Sequence, residues 1–260
     1  SLTGALSISI AISAAFSAAL VVPLEHAFGS WEAALAVWAI PALAAGIPWA
    51  VWAHRTEETV TRAERPPRVD WRAAWALPAF FGAQSAAFFA ALSWLPSILH
   101  HADGISTGRA GLLLAIDSVA QGGPAYIVPV LAVRMESQRP LLLAIVALSV
   151  GGVLGLIVAP SIALLWIVLL GFGQGGALGL ALILPLLRGG DAEAAAGLTA
   201  LALSGGYLIS AMGPWVVGLA RDVSGGWTAP LVVLLAITLS QLPAGLPAVR
   251  PGILSARSRP

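Results

Sequence analysis

Eight stretches of this chain are each about 20 or more residues long and predominantly apolar: residues 3–22, 33–53, 73–98, 110–133, 140–160, 162–187, 194–220 and 228–248. A helix needs about that length to cross the hydrocarbon core of a bilayer, where backbone polar groups must be satisfied internally. The alternating apolar and polar residues of a membrane strand are missing from these stretches. Composition excludes the alternative of a water-soluble helical protein. The chain is 58% hydrophobic and 10% charged, against about 25% charged in a soluble domain, which leaves too little polar surface to cover an exterior. The expected fold is an all-α integral membrane protein with eight transmembrane helices. Turn signals separate them, among them Pro23, Pro66-Pro67, Asp103-Gly104, Pro160-Ser161, Gly189-Gly190 and Gly225-Gly226.

Charge is concentrated in one connection. Residues 55–72, RTEETVTRAERPPRVDWR, carry Arg55, Glu57, Glu58, Arg62, Glu64, Arg65, Arg68, Asp70 and Arg72, out of 13 basic and 12 acidic residues in the chain. If this segment is cytoplasmic, the eight spans put Arg134, Arg139, Arg188, Arg250, Arg257 and Arg259 on the same side, and only Arg109 and Arg221 opposite. That asymmetry follows the positive-inside rule and predicts that both ends of the chain are cytoplasmic. The first residues, Ser-Leu-Thr, carry no basic n-region, so no cleavable leader is expected there.

Several chemistries drop out. Without cysteine there is no disulfide, thiolate nucleophile or Cys-based metal site. A net charge of +1 offers no surface for nucleic acid. His100-His101 with Asp103 does not assemble three ligands, so no metal and no other cofactor is expected. No GxxxxGK[ST] loop marks an ATP-driven pump, and no Gly-x-Ser-x-Gly elbow a hydrolase. An intramembrane aspartyl enzyme would need a second Asp beside Asp191, and Asp117 lies far along another span. No catalytic residue is assigned.

Two helices, a long charged loop and six more helices resemble the later part of a major facilitator superfamily transporter. The local wording is similar to its cyanate/2-nitroimidazole branch. In residues 80–111 the matching positions are Gln84-Ser85, Phe89, Trp94-Leu95-Pro96, Gly104 and Ala110-Gly111. In 204–227 they are Gly206-Tyr207, Gly213-Pro214, Gly218, Asp222 and Gly226-Trp227, and residues 29–52 fit the branch's sixth helix. The branch often has Tyr at Phe89 and Gln at Leu203, where this chain lacks the polar group. The resemblance implies helices five to twelve of the fold, with four further helices expected ahead of residue 1. Residues 1–53 would end the N-terminal six-helix half, 54–72 form the cytoplasmic central loop, 73–249 the C-terminal half and 250–260 a cytoplasmic tail. It implies secondary transport of a small molecule, such as a small anion or a nitroimidazole-like compound, across a bacterial cytoplasmic membrane. The competing expectation is a truncated chain that transports nothing or works only with a partner.

Within the spans, polar residues are the candidates for function. Gln84 and Gln174 fall near mid-span, where transporter sites gather, and a neutral amide can donate to an anion or accept from an N–H without burying a charge. Tyr207 is also mid-span and completes the substrate-binding set; the alternative for all three is packing between helices. Asp117 is the only acidic residue well inside a span, about 10 Å from its outer end. It is the candidate for proton coupling, against a carboxylate in the outer vestibule, hydrated or hydrogen-bonded. Trp94 reads as an interfacial anchor. Gly171, Gly175 and Gly179, and likewise Gly151 and Gly155, stand four apart and predict close helix packing, with Pro124, Pro129 and Pro185 as kinks.

Overall fold

The computed structural model describes residues 20, 23–25, 27–56 and 74–252, and every described element is helical. The chain divides into two compact units, Ser1–Arg65 and Pro66–Pro260. In the first, α1 (Trp31–Val37) and α2 (Ala39–Thr56) occupy the expected second span. Ser30 caps α1 by accepting the Ala33 amide at 3.1 Å. The span expected at 33–53 is thus interrupted at Trp38, and its apolar stretch, Glu32–Pro48, is shorter than a bilayer crossing. The cause is Pro41, which has no N–H to give to Val37 four residues back, so the helical ladder loses a rung there. The expected span at 3–22 (apart from residue 20) and most of the charged loop lie outside the described residues.

The second unit holds six helical segments long and apolar enough to cross a membrane, so the described residues carry six such spans and one shorter apolar helix. These are α3 (Ala76–Asp103), α4 (Thr107–Arg134), α5 (Arg139–Val158), α6 (Ala163–Gly189, preceded by a short turn at Pro160–Ile162), α7 (Ala192–Ser210) with α8 (Met212–Ser224), and α9 (Thr228–Ala248). The helices α7 and α8 form one span with a break at Ala211. Pro214 explains it as Pro41 does: the Ser210 carbonyl has no partner amide four residues on. The prolines expected as kinks, Pro124, Pro129 and Pro185, all lie inside α4 and α6.

Turns follow from local chemistry. Gly190 adopts a positive φ of 75° between α6 and α7, and Asp191 then caps α7, its Oδ1 accepting the Ala194 amide at 2.7 Å. A β-carbon on Gly189 would lie 2.5 Å from the Ala195 backbone, so that turn closes only around glycine.

Two buried apolar clusters fill the six-span unit. One gathers Leu77, Phe80, Phe81, Leu142, Leu180, Leu184 and Leu198 near one end. The other gathers Leu95, Ile98, Leu99, Ile167, Leu170 and Leu234 near the other. Meanwhile Val119, Val158, Leu208 and Val223 point outward and are largely exposed, as lipid-facing side chains are.

Candidate functional site

The two apolar clusters do not meet directly on four of the helices. On α3 the first cluster ends at Phe81 and the second begins at Ala90; Gln84 and Ser85 lie between. On α5, Ser149 separates Val146 from Val153, and on α6, Gln174 separates Leu170 from Ala177. On α9, Thr238 and Gln241 separate Leu234 from Ala248. Each of these polar residues is buried. The helix pairs α3–α9, α9–α5, α5–α6 and α6–α3 are all in contact, so the four helices close a ring. A polar layer therefore crosses the middle of the unit, bounded by apolar packing on both sides.

Close contacts fix the level. A β-carbon on Gly245 would lie 2.7 Å from Leu142 and 3.0 Å from Phe80, and one on Gly173 would fall on Ser149 Oγ. Gln84, Gln241 and Ser149 lie one to two turns beyond those positions, and Gln174 is next to Gly173. The sequence expectation for Gln84 and Gln174 thus places both in one layer, on helices that touch.

Their hydrogen bonding differs. Gln84 Nε2 donates to Ser85 Oγ at 2.6 Å. Gln174 is 3% exposed and neither its Nε2 nor its Oε1 has a partner; Ser149 Oγ and Gln241 Oε1 are also unpartnered. Leaving a buried polar atom unsatisfied costs about 1–3 kcal/mol, and buried polar atoms ordinarily find partners. Four such atoms at one level form an unused set of donors and acceptors. Chemically, the set offers neutral donors and acceptors and no charge.

Asp117 sits elsewhere, in the seam between α4 and α6. It is buried, its Oδ2 accepts from Gln121 Nε2 at 2.7 Å, and its Oδ1 has no partner. The facing surface is glycine: a β-carbon on Gly171 would lie 2.7 Å from Asp117 O and 3.1 Å from Asp117 Oδ1. Gly175 and Gly179 continue the seam against Gln121 and Ala125, so the predicted glycine row is a helix contact. The carboxylate is buried between helices and hydrogen-bonded to Gln121. On α5 the glycines that meet α6 are Gly152 and Gly155, against Trp166; Gly151 faces open space, which corrects the expected 151/155 pairing.

Tyr207 is not part of the polar layer. It is 53% exposed and stands edge-on to Phe81 at 5.2 Å, with its neighbour Gly206 pressed against the same ring. Trp94 ties helices together: its Nε1 donates to Pro214 O at 2.8 Å and its ring covers Gly218. The histidines are anchored to backbone, His100 Nδ1 to Ile105 O at 2.7 Å and His101 Nδ1 to Ser97 O at 2.8 Å. His101 also stacks on Trp227, over which Arg221 lies at 4.5 Å.

The family model for the Major Facilitator Superfamily matches residues 1–214 of the 260. The chain belongs to that superfamily. Its curated relatives include an uncharacterized transporter, YycB, of Bacillus subtilis, 34% identical over 243 residues, covering 91% of this chain and 60% of the relative. A 2-nitroimidazole transporter of Escherichia coli is 32% identical over 253 residues, covering 96% and 64%. The cyanate transport protein CynX of the same organism is 30% identical over 233 residues, covering 84% and 59%. The chain therefore groups with the cyanate/2-nitroimidazole branch and spans about 60% of the length of these relatives. No solved structure gives a significant match.

Membership of this superfamily, with six helical segments long and apolar enough to cross a membrane, makes the chain an integral membrane protein. Several polar residues of this superfamily member escaped the sequence reading. Gln241 and Ser149 are buried within spans and could have been found by the rule that singled out Gln84 and Gln174. Gln121 was legible too, one helical turn from Asp117.

Proposed function

We propose that this protein is a secondary active transporter that moves a small solute, a small anion or a nitroimidazole-like compound, by alternating access. Both of its ends lie in the cytoplasm, and the membrane is the bacterial cytoplasmic one. The observation that carries the reading is the polar layer inside the α3/α5/α6/α9 ring. Gln84 and Gln174 contact the solute there, and the unpartnered Gln174 amide supplies both a donor and an acceptor. Its N–H can donate to an anion such as cyanate, and its oxygen can accept from the ring N–H of a nitroimidazole-like compound. Tyr207, on the outer surface of α7, meets the solute on its way in or out. Asp117 couples transport to protons: its carboxyl is enclosed between α4 and α6, with one oxygen free to take a proton. The resemblance to transporters named for cyanate and 2-nitroimidazole supports this solute class.

The test is uptake of labelled cyanate and 2-nitroimidazole into vesicles bearing the protein, with and without an imposed proton gradient. Accumulation of one of them driven by the gradient is expected. Asp117→Asn, which keeps the bond to Gln121, abolishes gradient-driven accumulation while exchange of solute across the membrane continues. Equal uptake by vesicles with and without the protein would sink the proposal.

A further inference from the structure

Arg188 is 5% exposed, at the end of α6, yet among the described residues no carboxylate stands within 4 Å of it. Its partners are neutral: Nη2 donates to Gln138 Oε1 at 2.8 Å and Nε to Ala248 O at 3.3 Å. Gln138 in turn donates to Ala132 O at 3.0 Å and to Met135 O at 2.9 Å. The C-terminal ends of α4, α6 and α9 therefore converge on one guanidinium, and their partial negative charge holds it in place.

Three more arginines lie within two residues, along the chain, of groups that meet there. Arg134 lies between the two carbonyls that Gln138 binds, Arg139 follows Gln138, and Arg250 is two residues beyond Ala248. All three are exposed and, among the described residues, have no hydrogen-bonded or ionic partner through their side chains. Of the acidic residues at this end, Asp191 and Glu193 are placed at the start of α7, where Asp191 acts as its cap. Among the described residues Glu136 alone stands near the arginines, and it pairs with none of them. Among the described residues an excess of positive charge is left at the level where spans leave the membrane. Exposed apolar side chains adjoin it: Leu143 is four residues from Arg139, Leu246 four from Arg250, and Val133 is next to Arg134.

We propose that this cluster is a binding site for the phosphate of an anionic phospholipid headgroup. Arg134, Arg139 and Arg250 take the phosphate oxygens, Arg188 and Gln138 fix the helix ends that carry them, and Leu143, Leu246 and Val133 meet the acyl chains. Guanidinium groups match phosphate geometry, and basic pockets between span ends suit lipid headgroups. The flanking apolar side chains favour a lipid over free phosphate. The inference does not rest on the transport reading, and its test measures no transport.

Purified protein in neutral detergent is melted with added phosphatidylglycerol, phosphatidylcholine or inorganic phosphate. Intrinsic fluorescence serves as the signal, since the chain has ten tryptophans and no cysteine for a thiol dye. Phosphatidylglycerol at saturation is expected to raise the melting temperature by about 4 °C or more, with phosphatidylcholine and inorganic phosphate giving little change. The double variant Arg139→Gln/Arg250→Gln changes exposed residues only, so it folds, and it loses most of the phosphatidylglycerol shift. Equal shifts from the two lipids, an equal shift from inorganic phosphate, or a full shift in the double variant would each overturn the site.

Discussion

Gln138 and Gln174 are the same residue type, each 3% exposed, and they are used in opposite ways. Gln138 accepts from Arg188 and donates to Ala132 and Met135, fastening three helix ends. Gln174 makes no bond at all. Burial alone therefore does not say how an amide is used. The difference lies in whether the neighbouring helices complete its hydrogen bonds, and on the proposed function the open Gln174 amide is the one that meets the solute.

Substitutions can sharpen or break that contrast. The largest effect on stability is expected from Gln138→Leu, which takes one bond from each of the Ala132 and Met135 carbonyls and, among the described residues, the only side-chain acceptor from Arg188. Unfolding in detergent should become easier by about 3 kcal/mol. Transport per folded molecule should change little. A Gln138→Leu protein as stable as the parent would show that this amide is no fastening.

Next come the glycines of α6. A β-carbon on Gly175 would fall on the Gln121 carbonyl oxygen, so Gly175→Ala must push α4 and α6 apart, at about 1–3 kcal/mol. Gly151→Ala has open space and should be neutral or slightly stabilising, as Ala favours helix. Melting curves of the two variants decide it, and equal curves would contradict the close seam.

Tyr207→Phe is the mildest change. The side chain is half exposed and its ring contact with Phe81 survives, so stability should stay within about 0.5 kcal/mol. If the hydroxyl meets the solute, KM for uptake rises about threefold, the worth of one modest hydrogen bond. An unchanged KM would leave Tyr207 as packing alone.

Much of the architecture was legible from residue order. Six spans in the second unit follow their apolar runs closely, because a bilayer crossing leaves little freedom in length. The break at Trp38 was also encoded, in Pro41, but a count of apolar residues does not weigh a missing amide. Gln84 and Gln174 were found because a polar side chain in an apolar span stands out. What the sequence does not carry is which partner each one meets. Arg188 and Gln138 are 50 positions apart, and their pairing exists only once α5 and α6 pack. The outward direction of Tyr207 likewise depends on which side of α7 the helix α3 covers. Choosing Gly151 rather than Gly152 as a contact came from counting in fours without knowing where α6 lies.

The most direct measurement is made on Gln174→Leu, scoring solute uptake and thermal unfolding on the same preparation. An open functional amide predicts uptake reduced at least about tenfold, with unfolding unchanged or harder by about 1–2 kcal/mol, since an unsatisfied polar group has been removed. A variant that transports normally, or one that loses uptake only because it unfolds, would show that Gln174 is ordinary packing and that the polar layer is not the site.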